Sequence, residues 1–527
     1  MYPYAHSRRY DVIVAGVGGM GSAACYYLAR RRKRVLGLER YDVPHEMGSS
    51  HGHTRIIRLA YYEDPSYVLL LIRAFELWRG IQARVGEQLL HVTGSIDAGP
   101  ADSWVFKGAL RSALEHDLPH QVLTSEELTA RYPGYRLPRE LMALVQPDGG
   151  FLLPERCIVS YVEAAHAEGA EIHGREAVLE WQPITDGVRV VTERGTYEAD
   201  RLVITAGAWN ASLLPVLAPY AVPERQVLAW FQPERPELFT PDRFPVFNMI
   251  TDEGRFYGFP VFAIPGFKIG KYHHFEEQGV PETLEREPHW TDEAVLREFT
   301  ARHFPEAAGP TMTLRSCLFT NTPDNHFVID VHPDYPQVSF ASACSGHGFK
   351  FGSVIGEILA DLAERGQSRH NIDLFRLDRF TGRPGLDWSR RGLAIAADRT
   401  GWPRRPALVG SRSGVAGYEA VPAGYRPGLV GYRPGLAAYG QGPAGFRPGS
   451  TAYGQGSAWS GRGPAGYWPG SAWGRPFDRS REQRPALSLA PERPSRDARH
   501  RGGPDGWDFD GESTITEEGR DALRPFW

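Results

Sequence analysis

The chain has 527 residues, with 59 Lys and Arg against 63 Asp and Glu. That near balance excludes a surface built throughout to bind polyanions, and a 42% hydrophobic content excludes disorder along the whole length. The 58 Gly and 42 Pro stand well above the roughly 12% of average usage, so the excess needs a location.

In chain order, Tyr10–Ala15 reads as a strand, 21–32 as a helix and 34–38 as a second strand. A helix begins at Ser66. Thr124 and Glu127 form a capping box for a short helix. Pro154–Glu168 reads as a helix, and 176–199 as a hairpin around Asp186-Gly187. Leu202–Thr205 is a buried strand ending at Thr205-Ala-Gly-Ala-Trp209. Residues 255–275 alternate like strands, broken at Pro265-Gly266. Helices follow at 291–303 and from Phe349 to Glu364. From about Gly410 the chain turns repetitive, with a seven-residue Gly/Pro/aromatic period over 417–458. Gly and Pro cost about 1 and 3 kcal/mol in a helix interior, so this is no coiled coil. The segment reads as disordered, and residues 401–475 carry eight Arg and one acid. Nucleic-acid binding is conceivable only there; a disordered extension is the plainer reading.

Four Cys, at 25, 157, 317 and 344, are too sparse for a disulfide framework. No apolar run reaches the ~18–20 residues of a membrane span. Arg8 and Arg9 precede an apolar stretch, but glycines break it, so the chain reads as a mature cytoplasmic protein.

The first chemical motif is Val12–Gly21, VIVAGVGGMG, between a strand and a helix. Gly16 makes the tight turn, Gly18 and Gly19 let the backbone approach a diphosphate, and Gly21 lets the helix pack on the strand. The helix N-terminus offers free N–H groups to the anion. Glu39 ends the second strand, placed to accept from ribose hydroxyls, with Arg40 following. FAD or NAD fits; the motif alone does not separate them.

Further stretches join it: GSSHGHTRIIR (Gly48–Arg58), TAGAW, FYGFP (Phe256–Pro260), FKIGKYHH (Phe267–His274), LRSCLFTNT (Leu314–Thr322), NHFVID (Asn325–Asp330) and CSGHGFKF (Cys344–Phe351). Together they resemble the family of monomeric sarcosine oxidase and N-methyltryptophan oxidase, FAD-dependent amine oxidases of the D-amino-acid-oxidase-like fold, over about residues 8–385. The resemblance implies an α/β (α+β) chain in which a Rossmann-type FAD-binding domain (8–90, 146–222, 316–395) interleaves with a mixed-sheet substrate domain (91–145, 223–315), before a tail at 396–527. It implies FAD held covalently through Cys317. Arg58 and Lys350 would clamp a substrate carboxylate, Ser49, Thr54, Arg55, Gly346, His347, Gly348 and Phe349 would lie by the flavin, and Tyr257 and His273 would line the substrate cavity. A lysine of the Lys-x-Gly stretch would activate dioxygen. The implied activity is oxidation of secondary amino acids to hydrogen peroxide and, from N-methyl substrates, formaldehyde, by a monomer without metal. N-methyl-L-tryptophan, L-pipecolate or a non-oxygen acceptor are the alternatives.

One departure matters. Lys268 stands five residues before His273 and Lys271 two before it. Even spacing on a strand favours Lys271, and the Lys-x-Gly context favours Lys268; Lys268 is preferred. The chain has only five Lys, and three fall in these motifs. Cys344 is a weaker candidate than Cys317, and Cys25 and Cys157 read as packing. His347 reads as a hydrogen-bonding residue rather than a general base. Asp330 is either beside the cofactor or a loop cap.

Overall fold

The computed structural model describes residues 9–381. The repeat tail, and with it the expectation that it is disordered, lies outside the described residues. Strand β1 (Arg9–Ala15) runs through the middle of an eight-stranded sheet, parallel to β2 (Val35–Leu38) on one side and to Thr196–Ile204 on the other. These strands are buried on both faces, which is why they read as unbroken apolar runs. Helix α1 (Gly21–Arg30) crosses between β1 and β2 and is buried from Gly21 to Ala29. It packs against Pro154–Ala167 and Gly352–Arg365.

The hairpin expected at 176–199 is part of a three-strand meander. Val178–Ile184 pairs with Gly187–Thr192, which pairs with the first half of Thr196–Ile204. The second half of that last strand pairs with Val338–Ser342 instead. One continuous strand therefore replaces the hairpin arm and the separate buried strand at Leu202. Its two halves have different neighbours, so the hydrophobic pattern changes midway.

A second eight-stranded sheet places Val222–Phe231 between Thr311–Asn321 and Phe267–Lys271, and the latter beside Gly254–Phe259. The registers set Cys317 opposite Gln226, Lys268 opposite Trp230 and Phe259, and Tyr257 opposite Gly270. Directly paired residues share a face, as do residues two apart. Cys317, Lys268, Tyr257 and Arg255 thus project from one face. The other face carries Val227, Ala229, Phe256 and Ile269 into a core that includes Leu296 and Phe299 of the helix Trp290–His303. The strand Thr311–Asn321 runs unbroken through position 316.

The remaining helices follow the sequence within a residue or two. Ser66 precedes Tyr67–Val85, and the Thr124–Glu127 capping box is present in both directions. The helix expected from Phe349 opens with a 3-10 turn, Phe349–Phe351, before Gly352–Arg365. Among the described residues no helix is long and apolar enough to cross a membrane.

Candidate active site

Three cavities follow one another through shared lining residues. The first, about 300 Å³, is lined by Gly16, Gly18, Gly19, Glu39, Arg40 and Ser49, and also by Leu179 and Trp209. Gly16 has a φ of +94°, and a Cβ there would stand 2.5 Å from the Thr205 carbonyl oxygen. A Cβ on Gly21 would meet the Gly16 carbonyl oxygen at 1.9 Å, so α1 can sit this close to the turn only with glycine. A Cβ on Gly18 would touch nothing, because that position opens into the cavity. Glu39 is buried, and its carboxylate accepts from Val17 N–H at 2.8 Å and Tyr41 N–H at 3.1 Å. It therefore braces the glycine turn as well as lining the cavity. Arg40 donates to Glu282 and lies over the Trp209 ring.

The second, inner cavity, about 50 Å³, shares Ser49 and Cys344 with the first. Its walls include Arg55, Tyr257, Cys317, Phe319 and the stretch Gly346–Lys350. Arg55 is held by the carbonyl oxygens of Thr54 and Ser49, at 2.9 and 3.0 Å. Gly346, at φ +79°, lies against Phe319, whose ring a Cβ would meet at 2.7 Å. Burial pushes the Cys317 thiol above its ordinary range, and Arg55, Lys268 and Arg286 oppose that shift. Cys344 is likewise raised by burial, with only Arg55 as an opposing cation.

Lys350 extends into this cavity and donates to the His347 carbonyl oxygen at 2.7 Å. Burial, aided by Arg58, brings its ammonium down to about 7. His347 has both ring nitrogens engaged. Nε2 donates to the Asn325 carbonyl oxygen at 3.0 Å, so Nδ1 accepts from the Tyr61 hydroxyl. Burial holds it neutral, down to about 3. It is a fixed hydrogen-bonding residue with no nitrogen free to take a proton.

Lys268 is buried just behind this lining, and its Nζ donates to Gly52 O, Thr54 O and Thr54 Oγ1 at 2.7–2.9 Å. Burial and Arg55 depress its pKa well below the lysine range. Three oxygen acceptors nevertheless match the three protons of an ammonium, and that arrangement offsets the depression. Lys271 ends its strand away from Cys317 and Arg55, and its Nζ lies 5.7 Å from the Phe256 ring centroid. The spacing argument for Lys271 fails for a local reason. The strand ends at Lys271 and His273 takes a φ of +52°, so strand alternation does not reach His273.

Two of the expected site residues stand off the inner cavity. His273 does not reach the inner cavity. It lines a third, outer cavity of about 470 Å³ and pairs with Glu224 at 3.1 Å, while His274 turns inward to Asp292. Arg58 also does not open onto the inner cavity. It is buried between the rings of Tyr61 and Tyr62 and donates to Glu63 at 2.9 Å and to the Ala60 carbonyl oxygen at 3.0 Å. Sequence reading missed Glu63, which Arg58 holds at about 2 against its burial. Asp330 caps a loop, accepting from Val331 N–H and Leu377 N–H. Also missed were Trp209, Leu179, Phe319 and Arg255. Arg255 alone carried a usable signal, standing two residues before Tyr257 on an alternating strand.

Residues 11–362 match the model of a family described as DAO, FAD dependent oxidoreductase. The chain belongs to that family. It is 41% identical over 385 residues to a monomeric sarcosine oxidase of Streptomyces avermitilis, a match covering 72% of this chain and 100% of that one. It is 35% identical over 374 residues to an N-methyl-L-tryptophan oxidase of Yersinia pestis, covering 70% and 99%. A solved structure of NikD, an unusual amino acid oxidase essential for nikkomycin biosynthesis, overlays at TM-score 0.62 and 26% identity, covering 70% and 98%. Glycine oxidase from Geobacillus kaustophilus shares the fold at TM-score 0.58 and 20% identity, covering 71% and 99%.

The residues present fit FAD. The open space over Gly18, the turn braced by Glu39 and the inner cavity that continues from it suit an elongated dinucleotide. This FAD-dependent oxidoreductase would hold the nucleotide end at Gly16–Gly19, Glu39 and Trp209, and the redox-active end among Ser49, Arg55, Cys317 and Gly346–Lys350.

Proposed function

We propose that the enzyme oxidises small secondary amino acids with dioxygen, and that its FAD is attached through Cys317. The observation that carries the reading is the convergence of Cys317, Arg55, Lys350 and Tyr257 on one inner cavity continuous with the nucleotide site. For an N-methyl substrate the balance is R–NH–CH3 + O2 + H2O → R–NH2 + HCHO + H2O2. FAD, when bound, would supply the hydride acceptor for the substrate carbon and the electron pair for dioxygen.

The chain's own residues supply binding, orientation and charge. Lys350, protonated below about 7, holds the substrate carboxylate by a charge-assisted hydrogen bond. Tyr257 and Phe319 close apolar walls around the amine and exclude water. Lys268 supplies a fixed positive charge behind the cavity where dioxygen is reduced. Lys271 lacks that placement. Cys317 is favoured over Cys344 for attachment because three cations, Arg55, Lys268 and Arg286, oppose the upward push of burial on its thiol, against Arg55 alone at Cys344.

The test is a panel of sarcosine, N-methyl-L-tryptophan and L-pipecolate, with peroxide measured for each and formaldehyde trapped for the first two. Peroxide with at least one is expected. Oxygen uptake by none of them, with FAD bound, would contradict the reading.

A further inference from the structure

The third cavity, on the side away from the nucleotide, shares Tyr272 and His347 with the inner one. Its charge is not explained by the binding of a single carboxylate. Arg255 stands two residues before Tyr257 on the strand Gly254–Phe259, so both side chains leave the same face, roughly 7 Å apart along the strand. Tyr257 lines the inner cavity and Arg255 the outer one. The Arg255 guanidinium lies over Tyr272, 3.6 Å from the ring centroid, with Trp104 at 5.0 Å and Tyr62 at 5.7 Å. Aromatic faces orient a guanidinium and leave its N–H edge available. Lys271 also borders this cavity, but it pairs with Phe256 and its side chain leaves the opposite face of the sheet from Arg255, packing over Gly254 and Phe256. Among the described residues neither cation forms an ion pair with a carboxylate. The nearby acids are engaged or exposed. Glu63 is taken by Arg58, Asp324 by Arg379 and Glu224 by His273, and Glu276 faces solvent.

We infer that Arg255 is a second anion subsite, and that the preferred substrate is a secondary amino acid bearing a second carboxylate. This rests on the amine-oxidase reading above. The second carboxylate is carried on the part of the substrate that points out of the inner cavity, as the side-chain acid of an N-methyl amino acid or as an acid on the nitrogen substituent.

Two measurements on the FAD-loaded protein test it. The first compares kcat/KM for N-methyl-L-glutamate against its neutral isostere N-methyl-L-glutamine, and for iminodiacetate against N-ethylglycine. A preference of at least tenfold for the acid in one pair is expected, and that pair identifies which substituent carries it. Arg255→Gln should bring the ratio to within about twofold of unity, and Arg255→Lys should restore part of it. A ratio at or below one in the native protein, or one unchanged by Arg255→Gln, overturns the inference while sarcosine turnover leaves the amine-oxidase reading intact. The second measurement is calorimetric binding of glutarate against butyrate, which needs no turnover. Tighter glutarate binding lost in Arg255→Gln supports the subsite even if no amine is oxidised. Equal binding of the two overturns it.

Discussion

The Nζ of Lys268 donates to both the carbonyl and the hydroxyl oxygen of Thr54, at 2.8 and 2.9 Å. A buried ammonium on the second sheet is thereby fixed to the segment that follows Ser49 along the cavity wall. Lys268→Met should slow reoxidation of the reduced enzyme by dioxygen roughly 100-fold or more, the scale of losing a preorganised charge. Anaerobic reduction by substrate should change little. Lys271→Met should leave reoxidation within about twofold of native. Stopped-flow mixing of reduced enzyme with dioxygen separates the two lysines.

Cys317 and Cys344 both line the inner cavity, so the proposed attachment of flavin at Cys317 can be tested by substitution. Acid precipitation of native protein should leave the yellow colour in the pellet. Cys317→Ser should release it wholly to the supernatant, and Cys344→Ser should retain it. Release from the native protein would remove the covalent link from the account.

Lys350 gives a pH dependence of definite sign. Its folded-state pKa is lowered to about 7, so the free enzyme carries the ammonium below that pH and a neutral amine above it. Binding of a simple carboxylate such as propionate should therefore weaken as pH rises through about 7, approaching tenfold per pH unit above it. Lys350→Gln should bind weakly at every pH, with no such slope. Titrations of the holoenzyme from pH 6 to 9 check both.

Arg58 is the counter-charge for two buried acids, Glu63 at 2.9 Å and Asp97 at 3.6 Å. Burial, reinforced by Glu63, raises Asp97 to about 6, a sign of how little other compensation it has. Arg58→Leu would leave both carboxylates unpaired in a dry site and should cost about 3–5 kcal/mol of stability. Denaturant unfolding measures it. Adding Glu63→Gln to that variant should recover part of the loss.

The nucleotide end was legible because its physics is local. Turn, helix N-terminus and terminal acid follow one another within residues 12–39, and the geometry at Gly16 and Gly21 depends on contacts between near neighbours and Thr205. The substrate end was not, because its charges are matched across distant segments. Arg58 reads as a free cation until Glu63 and Asp97 are seen against it, and Asp97 comes from another strand. His273 stands off the inner cavity because the strand ends at Lys271 and His273 itself is left-handed, which spacing does not reveal. The different surroundings of Lys268 and Lys271 likewise depend on the fold of Gly52–Thr54, which spacing within one strand does not encode.

The most direct measurement is anaerobic titration of the purified, FAD-loaded protein with sarcosine and with N-methyl acidic amino acids, followed by admission of air. The expected result is bleaching of the flavin absorbance by a secondary amino acid, its return on aeration, and one equivalent of hydrogen peroxide per flavin reoxidised. A flavin that no secondary amino acid bleaches, or that returns without peroxide, would contradict oxidation of secondary amino acids by dioxygen at this site.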